Sequence, residues 1–318
     1  MKAFNHVNVK TLAEARTALA GGKATLIAGG TDLIGLLKDN VLSTYPETLI
    51  NIKTVPGLDY IKEEGGVLKI GAATRLADIA GNAAVNQKYT ALAQAASRVA
   101  TPHIRDMGTI GGNIAQLHRC WYFRKPENRF NCIRKGGTSC FAATGENRYH
   151  SIFGAVNGCI AVHPSDIAPA LIALDAKIVT NKRTINAQDC WDVKVPGNTV
   201  LAADEIVTEI RVPTPAAGAK SAFLKFAIRK SIDFPIVNCA VMVSNGAARI
   251  CLNAVAPKPY RAAKAEAAIA GKPINEANAE AAGAAAVADA FPLPATKYKV
   301  QIAKTLVKRA LLAAAAAA

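Results

Sequence analysis

The sequence predicts an α+β protein of two domains. Short helical and strand-like stretches alternate through roughly its first two-thirds, three alternating strand patterns follow a Pro/Ala-rich linker, and alanine-rich helical stretches close the chain. A chain of 318 residues is long enough for each part to have its own core.

In order along the chain, Thr11–Ala20 (TLAEARTALA) reads as an amphipathic helix with Thr11 as its cap, Glu14 at the capping-box position and Gly21-Gly22 as its stop. ATLIAGG reads as a short buried strand running into a glycine turn, TDLIGLLKDN as a helix and ETLINI as a strand, making a small β-α-β-like unit. DYIKEEGGVLKIGA reads as a hairpin turning at Gly65-Gly66. A helix is expected over roughly 89–100, ending before Pro102. The segment 116–158 breaks the rhythm, being rich in Arg, Asn, Gly, Cys and aromatics with no sustained period. A loop of that length inside a compact domain is functional or ligand-stabilised. IAVHPSDIAPALIALDAKIVT reads as a helix followed by a strand, and RVPTPAAGAK (211–220) as an interdomain linker. SAFLKFAIRK, IVNCAVMVS and ARICLNAVA alternate like three antiparallel strands, followed by two Ala-rich helical stretches. The tail, residues 313–318, is low-complexity and is read as lying outside the fold.

Composition narrows the classes of function. Apolar residues at 51% and charged residues at 19% mark a globular chain. No stretch approaches the ~18 apolar residues of a membrane helix, so no membrane insertion is expected. The N-terminus carries no apolar signal core. The chain therefore reads as cytoplasmic, with the periplasm open to it only through a partner that carries a signal. Lys and Arg outnumber Asp and Glu by 38 to 23, but without a block of like charge or aromatic interleaving. A basic face for an acidic partner subunit fits better than nucleic acid. Seven cysteines, an odd number, argue against a disulfide framework. Cys190, Cys239 and Cys251 sit among apolar neighbours as core residues, whereas Cys120, Cys132, Cys140 and Cys159 fall in the irregular segment.

Two segments can bring backbone N–H groups against a phosphate: Ile27-Ala28-Gly29-Gly30-Thr31-Asp32 and Thr109-Ile110-Gly111-Gly112-Asn113. Glycine is required there because a side chain would hold a diphosphate off and because such turns use φ > 0. Thr31, Thr109 and Asn113 add short polar groups, and Leu33 anchors the first turn to the helix that follows. Neither segment matches the Rossmann or P-loop fingerprint.

AGGTDL, then PHIRDMGTIGGN, HPSDIAPAL, DEIVTEIRVP and SAFLKFAIRK, in that order, resemble the flavoprotein subunits of the xanthine dehydrogenase family, which includes carbon monoxide dehydrogenase, bacterial aldehyde oxidoreductases and 4-hydroxybenzoyl-CoA reductase. The resemblance runs from Met1 to about Leu312. It implies a vanillyl-alcohol-oxidase-type (PCMH-like) FAD-binding domain over 1–215 and a small α+β C-terminal domain over 216–312. It further implies FAD contacts at Leu26, Ile27, Ala28, Gly29, Gly30, Thr31, Asp32, Leu33, Val99, Thr109, Ile110, Gly111, Gly112, Asn113, Asp166, Val207 and Lys225. Asp166 would bond near the ribitol or ribose, Val207 would pack on the ring system, and the Lys225 charge would favour the reduced flavin.

In most members of this family the GGN turn leads within about ten residues to the P-S-D segment. Here an insertion at about 114–160 intervenes, with spacing C-x11-C-x7-C-x18-C over Cys120, Cys132, Cys140 and Cys159. Four thiolates suit a [4Fe–4S] cluster or structural zinc, and spacing alone, without a C-x2-C pair, does not choose. The RCWYF start resembles the iron–sulfur insertion of 4-hydroxybenzoyl-CoA reductase and of certain aldehyde oxidoreductases, which implies the cluster. His118, His150 and His163 are spare candidates. Arg119, Arg124 and Arg134 would offset the cluster's negative charge.

The function so implied is electron transfer. Electrons from a molybdopterin cofactor on a large partner subunit would pass two [2Fe–2S] clusters on a small partner subunit and reach FAD here. Nothing in this chain resembles either partner domain, so no residue is assigned to substrate catalysis. Aldehydes lead as the substrate class of the complex, with an aryl-CoA reductase or an N-heterocycle dehydrogenase as alternatives in the family. A self-sufficient FAD oxidase and a basic scaffold protein with a zinc loop stand outside it.

Overall fold

The computed structural model describes residues 1–193 and 197–316. Strand β1 (Asn5–Asn8), helix α1 (Leu12–Ala20), strand β2 (Ala24–Ile27), helix α2 (Leu33–Lys38) and strand β3 (Thr48–Asn51) build a parallel sheet in the order β1-β3-β2. The Thr11 hydroxyl caps α1 by accepting from the Glu14 N–H at 3.1 Å. The Glu14 carboxylate accepts from the Lys10 N–H instead of completing the box on Thr11. Strand β1 was not expected, because NHVN is short, polar and fully exposed along its length.

Strands β4 (Ile61–Glu64) and β5 (Val67–Gly71) form the expected hairpin, with Gly65 and Gly66 at φ +60° and +73° as a two-residue turn requires. Helices α3 (Leu76–Gly81), α4 (Ala83–Lys88) and α5 (Thr90–Ser97) follow. The helix expected to reach residue 100 stops at Ser97, and Ala100 takes φ +41°. Pro102 does not end a helix but begins one, α6 (Pro102–Met107), where its missing N–H costs nothing. Helix α7 (Ile110–Ala115) follows at once, so the second glycine segment is the first turn of a helix. The insertion holds one short α-helix, α8 (Phe141–Thr144), and two single-turn 3-10 helices, Pro126–Asn128 and Ile133–Lys135, among turns and irregular chain. Helix α9 (Ile167–Ala173) and strands β6 (Lys177–Thr180), β7 (Thr184–Asn186) and β8 (Val207–Pro213) complete an antiparallel five-stranded sheet in the order β4-β5-β8-β6-β7. Residues 211–213 of the expected linker therefore belong to a strand in mid-sheet.

The C-terminal part has strands β9 (Lys220–Phe226), β10 (Val237–Ser244), β11 (Ala247–Asn253) and β12 (Tyr260–Arg261), packed against helices α10 (Ala263–Ile269), α11 (Glu276–Ala286) and α12 (Tyr298–Ala316). Its sheet has four antiparallel strands, not three. The fourth is only two residues long, pairing with Cys251 and Leu252, and two residues show no alternation to read. The alanine tail continues α12 as far as Ala316, with Ala314 buried, and the last two alanines lie outside the described residues. One buried cluster runs across both parts, joining Leu68, Leu92 and Leu171 to Phe223, Ala240 and Cys251. Helix α5 packs on β9, and α9 on β10 and β11. That shared core holds the glycine turns, the start of α9 and the C-terminal sheet in fixed relation.

Candidate functional site

A cavity of about 470 Å³ opens where β2 runs into α2. Its size lies in the range of cofactor sites. Leu26 through Leu33 all line it, with Val99, Thr109, Gly112, Asn113 and Asp166. Ile110 is fully buried, and Gly111 packs against Ala72, whose carbonyl lies 2.8 Å from where a Cβ would stand. Neither lines the cavity.

The two glycine segments differ in what they offer an anion. In the first, among the described residues, the N–H groups of Gly29, Gly30, Thr31 and Asp32 donate to no protein acceptor. Gly30 takes φ +70°, so the turn is of the kind that gathers free N–H groups into a concavity. In the second segment the N–H groups of residues 110 to 113 are all spent, and among the described residues that of Thr109 alone has no protein acceptor. Ile110 donates to the Thr74 carbonyl at 2.9 Å, Gly111 to Ala72 at 2.9 Å and Asn113 to Thr109 at 2.8 Å, while Gly112 donates to the Thr109 hydroxyl at 3.1 Å. The second segment therefore supplies shape, and the first supplies donors. The first turn meets the chain just ahead of the second segment backbone to backbone: a Cβ on Gly29 would stand 2.0 Å from the Met107 carbonyl oxygen.

Asp32 does not point at the cavity as a free carboxylate. Its Oδ1 lies 2.8 Å from both Arg119 and Arg124, as charge contacts, and its Oδ2 accepts from the Leu117 N–H at 3.1 Å. Arg119 and Arg124 are thus committed to the glycine turn and do not primarily serve the cysteines. Burial lowers the Arg119 pKa to about 10, against the opposing pull of Asp32. Its guanidinium also stacks over Phe234, 4.3 Å from the ring centroid. Ile232, Asp233 and Phe234 line the cavity from the C-terminal part, and the Ile232 N–H donates to the Ala100 carbonyl at 3.0 Å. Ile232 is β-branched at φ +66°, a strained backbone position. The sequence FAIRKSIDFP has no pattern that would place this loop at the cavity, and the Asp32–Arg119 pairing has no local signature.

Lys225 and Val207 do not line the cavity. Val207 opens β8 opposite Thr180 and packs against the main core. Lys225 is one side chain removed: its Nζ lies 2.6 Å from Asp166 Oδ2 and donates to the Arg98 carbonyl at 3.0 Å. Asn238 donates to Asp166 Oδ1 at 2.6 Å. Burial raises the Asp166 pKa, opposed by Lys225 and Asn238. Ser165 donates to Asn113 Oδ1 at 2.5 Å, and Asn253 to the Ser165 carbonyl at 2.7 Å. Two cavity-lining residues, Asn113 and Asp166, are therefore tied to the C-terminal sheet through buried polar contacts.

The four insertion cysteines are unbridged. Cys120 packs in the apolar cluster of Cys132 and in that of Cys159. Burial, then nearby thiols, raises Cys120 to about 12, and burial raises Cys159 to about 11. Among the described residues no three His, Cys, Asp or Glu side chains are gathered closely enough to hold a single metal ion. His150 Nε2 is 3.3 Å from Cys120 Sγ. His163 lies fully buried against Trp191 and His118, with its pKa driven down to about 3 by burial. Cys190, Cys239 and Cys251 are fully buried in the cores.

A glycine-turn cavity beneath a small C-terminal sheet defines a cofactor-binding chain, and sequence relationships specify which. Residues 2–215 match the FAD-binding domain of molybdopterin dehydrogenases, and residues 222–314 the C-terminal domain of the carbon monoxide dehydrogenase flavoprotein. The chain belongs to this family of FAD-binding flavin subunits of oxidoreductases. It is 35% identical over 280 residues to the aldehyde oxidoreductase FAD-binding subunit PaoB of Escherichia coli K12, covering 84% of this chain and 86% of that one. It is 31% identical to the carbon monoxide dehydrogenase medium chain of Hydrogenophaga pseudoflava, covering 98% and 96%. A solved structure of the carbon monoxide dehydrogenase from that organism superimposes with a TM-score of 0.76 at 30% identity, over 99% of this chain and 98% of that one. No helix among the described residues is long and apolar enough to cross a membrane.

Proposed function

We propose that this chain is the electron-transfer flavin subunit of a heteromeric molybdenum hydroxylase that oxidises aldehydes. The observation that carries the reading is the donor turn at 29–32, which lines the cavity with its N–H groups uncommitted among the described residues. Bound there, FAD supplies exchange of one or two electrons at a time, a chemistry that side chains lack. The chain's own residues do the rest. Gly29 to Asp32 offer backbone donors to the diphosphate. Asp32 pins the turn to the insertion through Arg119 and Arg124. Asp166 is oriented by Lys225 and Asn238 as a polar contact, and apolar Leu26, Leu33 and Val99 exclude water. We read the first 215 residues as a vanillyl-alcohol-oxidase-type domain and the partners as a large molybdopterin-binding subunit and a small [2Fe–2S] subunit. The aldehyde assignment rests on the similarity to the aldehyde oxidoreductase subunit.

We also read Cys120, Cys132, Cys140 and Cys159 as ligands of a [4Fe–4S] cluster. Two observations support this. Cys120 packs in the cluster of Cys132 and in that of Cys159, and four unbridged thiols are a donor set that suits such a cluster. Arg134 and Lys135 are buried beside them, and among the described residues no carboxylate pairs with either. A buried cation without an anionic partner costs several kcal/mol, and a thiolate-bound cluster is such a partner.

The test is purification with co-expressed partners. One acid-releasable FAD per chain, aldehyde oxidation by the complex and none by the isolated chain are expected. Turnover of an alcohol or aldehyde by the isolated chain would support a self-sufficient oxidase instead. A colourless, zinc-loaded preparation would support a scaffold.

A further inference from the structure

Three arginines stand near the cysteines in sequence, and the structure divides their work. Arg119 and Arg124 share Asp32. Arg134 is 1% exposed and has no carboxylate partner among the described residues. It donates to the Gly197 carbonyl at 3.0 Å and to His118 Nδ1 at 2.7 Å, while its Nε is buried without a partner. His118 is itself fully buried, and its Nε2 lies 2.6 Å from the Pro257 carbonyl. A carbonyl can only accept, so Nε2 carries the proton and Nδ1 presents a lone pair to Arg134. With Nε2 protonated and Nδ1 accepting from Arg134, the ring carries one proton and is neutral. The guanidinium is thus fixed by two neutral acceptors and lies over the Phe123 ring, 5.8 Å from its centroid, the same ring that packs with Cys132 and Cys120.

We propose that Arg134, held in place by His118, is the positioning charge that sets the reduction potential of the four-cysteine centre. This rests on reading that centre as a [4Fe–4S] cluster. Gaining one electron makes the cluster more negative, and a fixed positive charge in a low-dielectric surround stabilises that state and raises the potential. His118 adds a link to the C-terminal part through Pro257, so the docking of that part fixes where the charge stands.

The experiment is a redox titration of the purified complex followed by low-temperature electron paramagnetic resonance, reading the signal that Cys132→Ser abolishes. Arg134→Met should keep its iron and move that midpoint downward. Arg134→Lys, which keeps the charge but cannot reach both acceptors, should fall between it and the parent. His118→Gln should shift in the same direction as Arg134→Met but less, and Arg119→Met should shift least. If Arg134→Met loses its iron, the Lys and Gln variants carry the test. Equal midpoints across the iron-replete variants, or the largest shift in Arg119→Met, would overturn the inference. Absence of that signal and of excess iron in the parent would sink the cluster reading instead, which is a separate outcome.

Discussion

Alanine at Gly29 and at Gly30 should weaken FAD binding to different degrees and for different reasons. A Cβ on Gly29 would lie 2.0 Å from the Met107 carbonyl oxygen and 2.6 Å from its carbon, both backbone atoms. The turn and the end of α6 would have to separate by roughly 1.5 Å to restore ordinary contact. Overpacking against backbone costs about 3 kcal/mol, which is about 100-fold in affinity if the strain falls on the FAD-bound arrangement. At Gly30 the Cβ would meet Ile34 Cγ1 at 3.1 Å, a side chain that can rotate, so the cost is that of φ +70°. That is about 1–2 kcal/mol, or about tenfold. The position does not aim a side chain at phosphate space, as the sequence suggests, but towards Ile34 and Ile27. Gly65→Ala is the control, because it carries the same backbone strain at φ +60° with nothing within 4 Å and lies in the β4–β5 hairpin. Dissociation constants come from titrating apoprotein with FAD and following flavin fluorescence. Parent-like affinity in Gly29→Ala, or an equal loss in Gly65→Ala, would refute the reasoning.

Three further outcomes follow from buried groups. Asp166→Asn leaves the Lys225 ammonium, whose side chain is 4% exposed, without its anion and should lower stability by about 3–5 kcal/mol; adding Lys225→Met should recover much of it, and urea titration of the single and double variants checks this. Lys299, buried and with the Tyr149, His150 and Ala254 carbonyls as its only partners among the described residues, has its pKa lowered by burial to about 7. Its folded value lies below its unfolded one, so the penalty is full below pH 7 and is relieved as pH rises towards 10; stability relative to Lys299→Met should therefore increase by a few kcal/mol across that window in denaturant midpoints, and a flat difference would contradict it. Cys132→Ser should remove about four irons per complex in metal analysis, whereas Cys190→Ser, in the main core, should leave the count unchanged.

Much of the fold was legible because it is local. Thr11 caps its helix and Gly65-Gly66 turn their hairpin through interactions within a few residues. The donor turn was legible for the same reason, since a glycine pair between a buried strand and a helix is a local pattern. What stayed hidden is non-local. Strand β1 exists by pairing with β3, and β12 by pairing with β11, while neither carries its own signal. Pro102 was read as a stop because a proline after a helix usually is one, yet it serves equally at a first turn. The commitment of Arg119 and Arg124 to Asp32, across some ninety residues, could not be separated in sequence from a role at the adjacent cysteines. Nor could the closing of the cavity by Ile232 and Phe234, which depends on how the C-terminal sheet docks.

The central claim is that electrons cross this chain through FAD held at the 29–32 turn. The most direct test compares half-reactions of the assembled complex with parent chain and with Gly29→Ala stripped of flavin. Under anaerobic conditions with aldehyde, both should reduce the partner [2Fe–2S] clusters at similar rates, and only the parent, which retains its flavin, should pass electrons to an external acceptor. Acceptor reduction at the parental rate by the flavin-free complex would contradict the account.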